Sequence, residues 1–192
     1  MSSFSKDVIE FWTNEVGPQK WYDRNDTSTA KDMKSKFEPL WVDAKAGNLN
    51  SWMCTAEGCL ALVLLLDQFP RIMFQGTAKA YQSDGNALAV AKRGLVMGHD
   101  LATPEHLRQF FYMPMMHSES LMDQERCVRL MSLRMPQLGE TGILHAKAHR
   151  DVIRQFGRFP YRNEILERAT TGPETAYMTA GGYDFTINTI AA

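Results

Sequence analysis

Residues 54–66 read Cys-Thr-Ala-Glu-Gly-Cys-Leu-Ala-Leu-Val-Leu-Leu-Leu, and as a helix this stretch is apolar on every side. A helix without a polar face must be enclosed by other elements. Its longest unbroken apolar run, residues 59–66, is far shorter than the roughly 20 residues a membrane span requires. The segment therefore belongs in the middle of a fold, as its most buried helix. Asp67-Gln68-Phe69-Pro70 comes next, and the proline should end the helix by removing a backbone donor and biasing Phe69 away from helical geometry.

Helical spacing dominates the rest, with no convincing two-residue alternation. Ser5 reads as an N-cap before a helix over 6–16 that stops at Gly17-Pro18. A second helix runs from Thr27 towards Phe37, with Pro39 interrupting it or starting a continuation through Trp41 to Gly47. Further helices are expected over 77–96 (closed by Gly98), from Thr103-Pro104 to Tyr112, from Ser118 or Ser120 to Met135-Pro136, over 141–156 (stopped by Gly157) and over 160–169. Residues 173–178 add a turn or two. The expectation is one all-α domain over 1–192 of antiparallel helical hairpins, its core at about 4–180 and a tail at 181–192. Gln68-Phe69-Pro70-Arg71 and Arg158-Phe159-Pro160-Tyr161-Arg162 echo each other as two corners with an arginine after each, a hint of a hairpin array.

Charge limits the partners. Twenty-one basic residues against 22 acidic ones leave a net charge of -1, without the basic stripe that nucleic-acid binding requires. The cysteines, Cys54, Cys59 and Cys127, have neither disulfide-scaffold nor zinc spacing and fit a reducing compartment. The N-terminal residues lack a leader pattern, so a cytoplasmic protein without membrane or nucleic-acid partners is expected. Phosphate-loop, nucleophile-elbow and Cys-x-x-Cys signatures are absent, and no cofactor is called for. Met113–Met116 reads as adaptable packing.

The informative residues are polar ones on faces that should be buried. Asp84 falls among Ala80, Tyr81, Leu88, Ala91 and Leu95 on the 77–96 helix, so it needs a cation, to be supplied by Arg71, Arg158 or Arg162. His145 and His149 lie beside the buried arc of Leu144, Ala148, Val152 and Phe156. Their spacing can hold a metal, but Ala146 replaces the glutamate of that motif and no third ligand is at hand, so no metal is expected. His145 reads as a core histidine. His117 falls just outside the N-terminus of the helix that Ser118 caps, where an anion is favoured, and Glu119 reads as a dipole partner in the first turn. Gly157-Arg158-Phe159-Pro160-Tyr161-Arg162-Asn163 gathers two arginines and an amide at a corner suited to an anion, or to a clamp on helix C-terminal carbonyls.

Three of these stretches resemble a bacterial family, domain of unknown function 924. They are Leu64-Leu65-Leu66-Asp67-Gln68-Phe69-Pro70-Arg71 with Phe74, Gly76-Thr77-Ala78 and Asp84; Phe110-Phe111-Tyr112-Met113-Pro114 with Met116-His117-Ser118-Glu119; and His149-Arg150-Asp151-Val152-Ile153 with Phe156-Gly157-Arg158-Phe159-Pro160 and Arg162-Asn163. The likeness runs from Phe4 to Phe185 and implies a tetratricopeptide-like, right-handed helical array; it implies no activity. Ile72 stands where the family commonly has asparagine, and Tyr161 where histidine is common.

The expectation for function is a pocket for a small anionic metabolite lined by Asp67, Arg71, Asp84, His117, Glu119, His149, Arg158, Arg162 and Asn163. If it is catalytic, His117 or His149 moves the proton and Asp84 or Asp67 orients one of them. The alternative is a peptide- or protein-interaction module, with the polar motifs serving as a structural network and a groove showing aromatics such as Trp21, Tyr22, Trp41 or Trp52.

Overall fold

The computed structural model describes residues 3–22, 27–137 and 139–191, which are largely helical with no strand among them. The connection after Tyr22 and the first two residues of the N-terminal stretch lie outside the described residues. The chain divides into two compact units, Met1–Thr103 and Pro104–Ala192.

In the first unit, α1 (Ser3–Glu10) runs on as a wider π-helical turn over Phe11–Val16. Ser5 thus sits within the helix rather than capping it. α2 (Thr27–Ala46) is continuous through Pro39. Pro39 and Ser35, whose carbonyl loses its partner, are both exposed, so water replaces the missing bond and no break is needed. Cys54 closes an exposed 3-10 turn, and α3 (Ala56–Val63) begins after Thr55, whose hydroxyl accepts the Gly58 amide at 3.1 Å. Gly58 has no substitute: a Cβ there would lie 2.3 Å from the Trp52 carbonyl oxygen.

The predicted stop at Pro70 does not occur. The chain widens into a π turn over Leu64–Gln68, in which the Phe69 amide reaches back to the Leu64 carbonyl, and continues as α4 (Phe69–Met73). Widening the turn accommodates the proline without breaking the helix. The Leu66 carbonyl accepts a hydrogen bond from the Ser83 hydroxyl at 2.6 Å, and Ser83 accepts one from Trp41 Nε1 at 2.9 Å. Every residue from 58 to 70 is buried, against α1, α2 and α5 (Asp84–Val96). Phe11, Phe37 and Phe69 meet edge-on, and Trp21 stacks on Trp12. The helix expected from Thr77 is instead a short 3-10 turn, Ala78–Tyr81, and then α5. Asp84 therefore opens a helix rather than interrupting an apolar face. Thr103 does not cap the next helix; its hydroxyl donates back to the His99 carbonyl.

The second unit has two short helices, α6 (Glu105–Arg108) and α7 (Met113–Met116), then α8 (Leu121–Arg134) packed on α9 (Gly139–Phe156). Ser120 holds the N-cap position of α8 without a side-chain bond, while Ser118 donates to Asp123. α9 ends where expected, with Gly157 at φ 70°, a region that favours glycine. The predicted helix over 160–169 is absent: one 3-10 turn, Pro160–Arg162, leads into irregular chain. α10 (Gly172–Thr179) comes next, started by a reciprocal capping box between Thr171 and Glu174. The stretch that reads as a tail forms α11 (Gly182–Ala191), which packs on α9.

Candidate functional site

In the first unit, three expected residues meet around one guanidinium. Arg71 Nη2 lies 2.9 Å from Asp84 Oδ1 and 3.2 Å from Asp67 Oδ1. Asp67 and Arg71 are one helical turn apart on α4 and the π turn before it, so the wide turn that accommodates Pro70 also aims this pair. Asp67 is fully buried and also accepts from Gln68 Nε2. Burial opposes the charge of Arg71, but the two carboxylates outweigh it and hold the guanidinium above its usual value. Two internal carboxylates on one arginine leave it poorly suited to capture an external anion.

In the second unit the basic corner is also internally bonded. Arg158 forks onto Glu174 (Nε to Oε1 2.6 Å, Nη2 to Oε2 2.8 Å) and donates to the Ala169 carbonyl. These bonds, with the Thr171 amide, hold the Glu174 carboxyl well below the usual range. Arg158 thus ties the end of α9 to the start of α10, through a carboxylate and a carbonyl of irregular chain rather than through helix C-terminal carbonyls. A surface depression beside it is lined by Gln155, Phe156, Thr171 and Pro173.

Glu119 is not a first-turn dipole partner. It precedes α8 and accepts from Arg168 at 2.7 and 3.1 Å and from the Phe159 amide at 2.8 Å. Burial would raise its carboxyl; Arg168 and that amide overcome the effect and hold it below the ordinary value. Arg168 also binds the Asn163 side chain and the Phe159 carbonyl. Asn163, buried, thus stays within this network. The pull of Glu119 and Asn163 on Arg168 accounts for the irregular chain where spacing predicts a helix.

What remains is an imidazole cluster around Phe159. The His149 ring lies 5.4 Å from the Phe159 ring, 4.7 Å from that of Tyr183 and 6.3 Å from that of His117. Arg162, 5% exposed, places its guanidinium carbon 4.4 Å from the centre of the same Phe159 ring. α9 supplies His149, α11 supplies Tyr183, and the residue closing α7 supplies His117, which ends that helix rather than standing at the start of the next.

Burial pushes the His149 pKa down to about 3, and the His117 and Arg162 charges push the same way. His149 is therefore neutral at physiological pH. Its Nδ1 lies 2.9 Å from the His145 carbonyl oxygen. A carbonyl only accepts, so Nδ1 carries the proton and Nε2 presents a lone pair. Nε2 makes no hydrogen bond among the described residues. His145 is held by the Tyr183 hydroxyl at 2.7 Å, and burial lowers its pKa as well.

No group of three His, Cys, Asp or Glu side chains among the described residues is arranged to hold a metal. Burial raises the Cys59 thiol to about 12 and Cys127 higher still, so neither is a nucleophile at neutral pH. Trp21 and Trp41 are core residues, Trp52 is half-buried and Tyr22 is exposed. No described helix is long and apolar enough to cross a membrane.

Sequence reasoning misses Arg168, Glu174 and Tyr183. Thr171-x-x-Glu174 is readable as a capping box; nothing in the spacing singles out the other two.

A family model described as bacterial protein of unknown function (DUF924) matches residues 8–182. A solved structure, of the protein of unknown function ATU0120 from Agrobacterium tumefaciens, is 41% identical over 92% of this chain and 97% of that chain, with a TM-score of 0.86. No curated protein matches.

Proposed function

The chain belongs to the DUF924 family of bacterial proteins of unknown function, and from its own geometry we propose that it binds a small anionic molecule at the imidazole cluster of its second unit. The observation that carries this reading is His149: a neutral ring whose Nε2 lone pair has no partner within the described chain, beside a second imidazole and a buried arginine.

Arg162 supplies the attraction, because a buried guanidinium acts on an anion in a low-dielectric setting. His117 and His149 supply a proton donor or acceptor beside it. A bound anion would raise the proton affinity of His149 and so give it a place in general acid–base chemistry. Arg162 is the arginine that shares Phe159 with His149, and its charge also acts on Glu119.

The test is a thermal-shift screen of phosphorylated and carboxylated metabolites against wild type, His149→Gln and Arg162→Gln. A ligand at a hundred times its Kd stabilises by about 2.7 kcal/mol, a clear rise in Tm. An anion should emerge that shifts wild type and shifts His149→Gln much less. No active anion, or an equal shift in both variants, contradicts the proposal.

A further inference from the structure

Resting on that reading, we infer that Tyr183 and His145 form a proton relay between His149 and solvent, through which a proton taken up at His149 Nε2 leaves the site. The three groups stand in hydrogen-bonding sequence. The Tyr183 hydroxyl oxygen lies 3.1 Å from His149 Nδ1 and 2.7 Å from His145 Nδ1. α11 thus delivers one phenol to two rings that sit a turn apart on α9. The His145 carbonyl, 2.9 Å from His149 Nδ1, sets the resting direction. It only accepts, so His149 Nδ1 carries the proton. The phenol oxygen accepts from the same N–H, and its own proton turns to His145 Nδ1. His145 is then protonated at Nε2.

Every link can reverse. When His149 Nε2 gains a proton, the Nδ1 proton passes to the phenol oxygen and the phenol proton to His145 Nδ1. The His145 Nε2 proton then leaves to water. One proton enters, one leaves and no group ends charged; only the His145 carbonyl loses its partner. That lost bond favours the resting arrangement, so the path also runs backward and returns a proton to the ligand. The surroundings favour passage over storage. His117 and Arg162 act against a charge on His149, as does its burial, whereas His145 is half-buried and opposed by burial alone. The Tyr183 ring lies nearly parallel to that of His145, 13° between planes, which steadies the outer link.

Exchange of the His149 Nδ1 proton with water reads the relay without any ligand, so its outcome is separate from that of the metabolite screen. In 15N-histidine-labelled wild type near neutral pH, His145 should be protonated at Nε2 and bare at Nδ1. The opposite tautomer overturns the inference, whatever the variants do. Tyr183→Phe keeps the ring against both imidazoles and removes the hydroxyl; exchange of the His149 Nδ1 proton should slow by about tenfold or more. His145→Phe keeps the backbone carbonyl and a ring beside Tyr183 but removes the outlet, and should slow it too. A hydroxyl that only tied α11 to α9 would loosen the site when removed, and exchange would quicken. Exchange that is unchanged or faster in either variant overturns the relay and leaves the anion site standing.

Discussion

Replacing His149 by phenylalanine should make the protein less sensitive to acid. In the folded chain the His149 pKa is pushed down to about 3 by burial, with His117 and Arg162 adding to it; in the unfolded chain it is about 6.5. Above pH 6.5 the ring is neutral in both states and its contribution to stability is complete. As the pH falls below 6.5 the unfolded chain takes up a proton that the folded chain refuses down to about pH 3, so stability is lost at about 1.4 kcal/mol per pH unit. Between pH 7 and pH 5 that amounts to about 2 kcal/mol, or a fall in Tm of about 4–8 °C for a chain of this size. The groups around the ring, His117, His145, Tyr183, Arg162 and the Glu119–Arg168 pair, are common to both proteins and cancel in the comparison. Urea denaturation of wild type and His149→Phe at pH 7 and pH 5 measures the difference. Wild type should lose about 2 kcal/mol more than the variant. Equal losses would refute the claim that this ring is held neutral.

Arg71→Ala strands the fully buried Asp67 beside Asp84; removing one partner of such a buried pair costs about 3–5 kcal/mol, which a thermal melt followed by circular dichroism will register. Asp84→Asn should cost less, about 1 kcal/mol, because Asp67 still neutralises Arg71 and Asp84 is partly exposed. Glu119→Gln weakens the fork to Arg168 and should lower stability by about 1–3 kcal/mol in the same melt. Gly58→Ala places a methyl group against the Trp52 carbonyl, and the displacement it forces should cost about 1–3 kcal/mol.

Much of the helical order is legible in the sequence because it rests on local rules. The all-apolar stretch before Asp67 is the buried centre of its unit, Gly157 closes α9, and Asp84 does pair with Arg71, though from the start of a helix rather than from an apolar face. The failures have a common cause in tertiary partners that local rules do not contain. Pro39 reads as a break because proline removes a donor, yet its turn faces water. Pro70 reads as a stop, but a wider turn absorbs it. Residues 160–169 have helical spacing, but the bonds of Arg168 to Glu119 and Asn163 hold them irregular. The candidate site is half-legible for the same reason. His117, His149 and Arg162 stand out by residue type, whereas the commitment of Arg158 to Glu174 and the contact of Tyr183 with His149 depend on how distant segments fold back.

The central claim is that His149 holds an open lone pair at Nε2. Long-range 15N–1H correlation spectra of histidine-labelled protein, recorded from pH 8 to pH 5 and assigned with His149→Phe, read the two ring nitrogens directly. The predicted result is a protonated Nδ1 and an unprotonated Nε2 throughout that range, with the Nε2 resonance moving on addition of the anion that shifts Tm. A His149 ring protonated at Nε2, or one that becomes doubly protonated near pH 6.5, would contradict it.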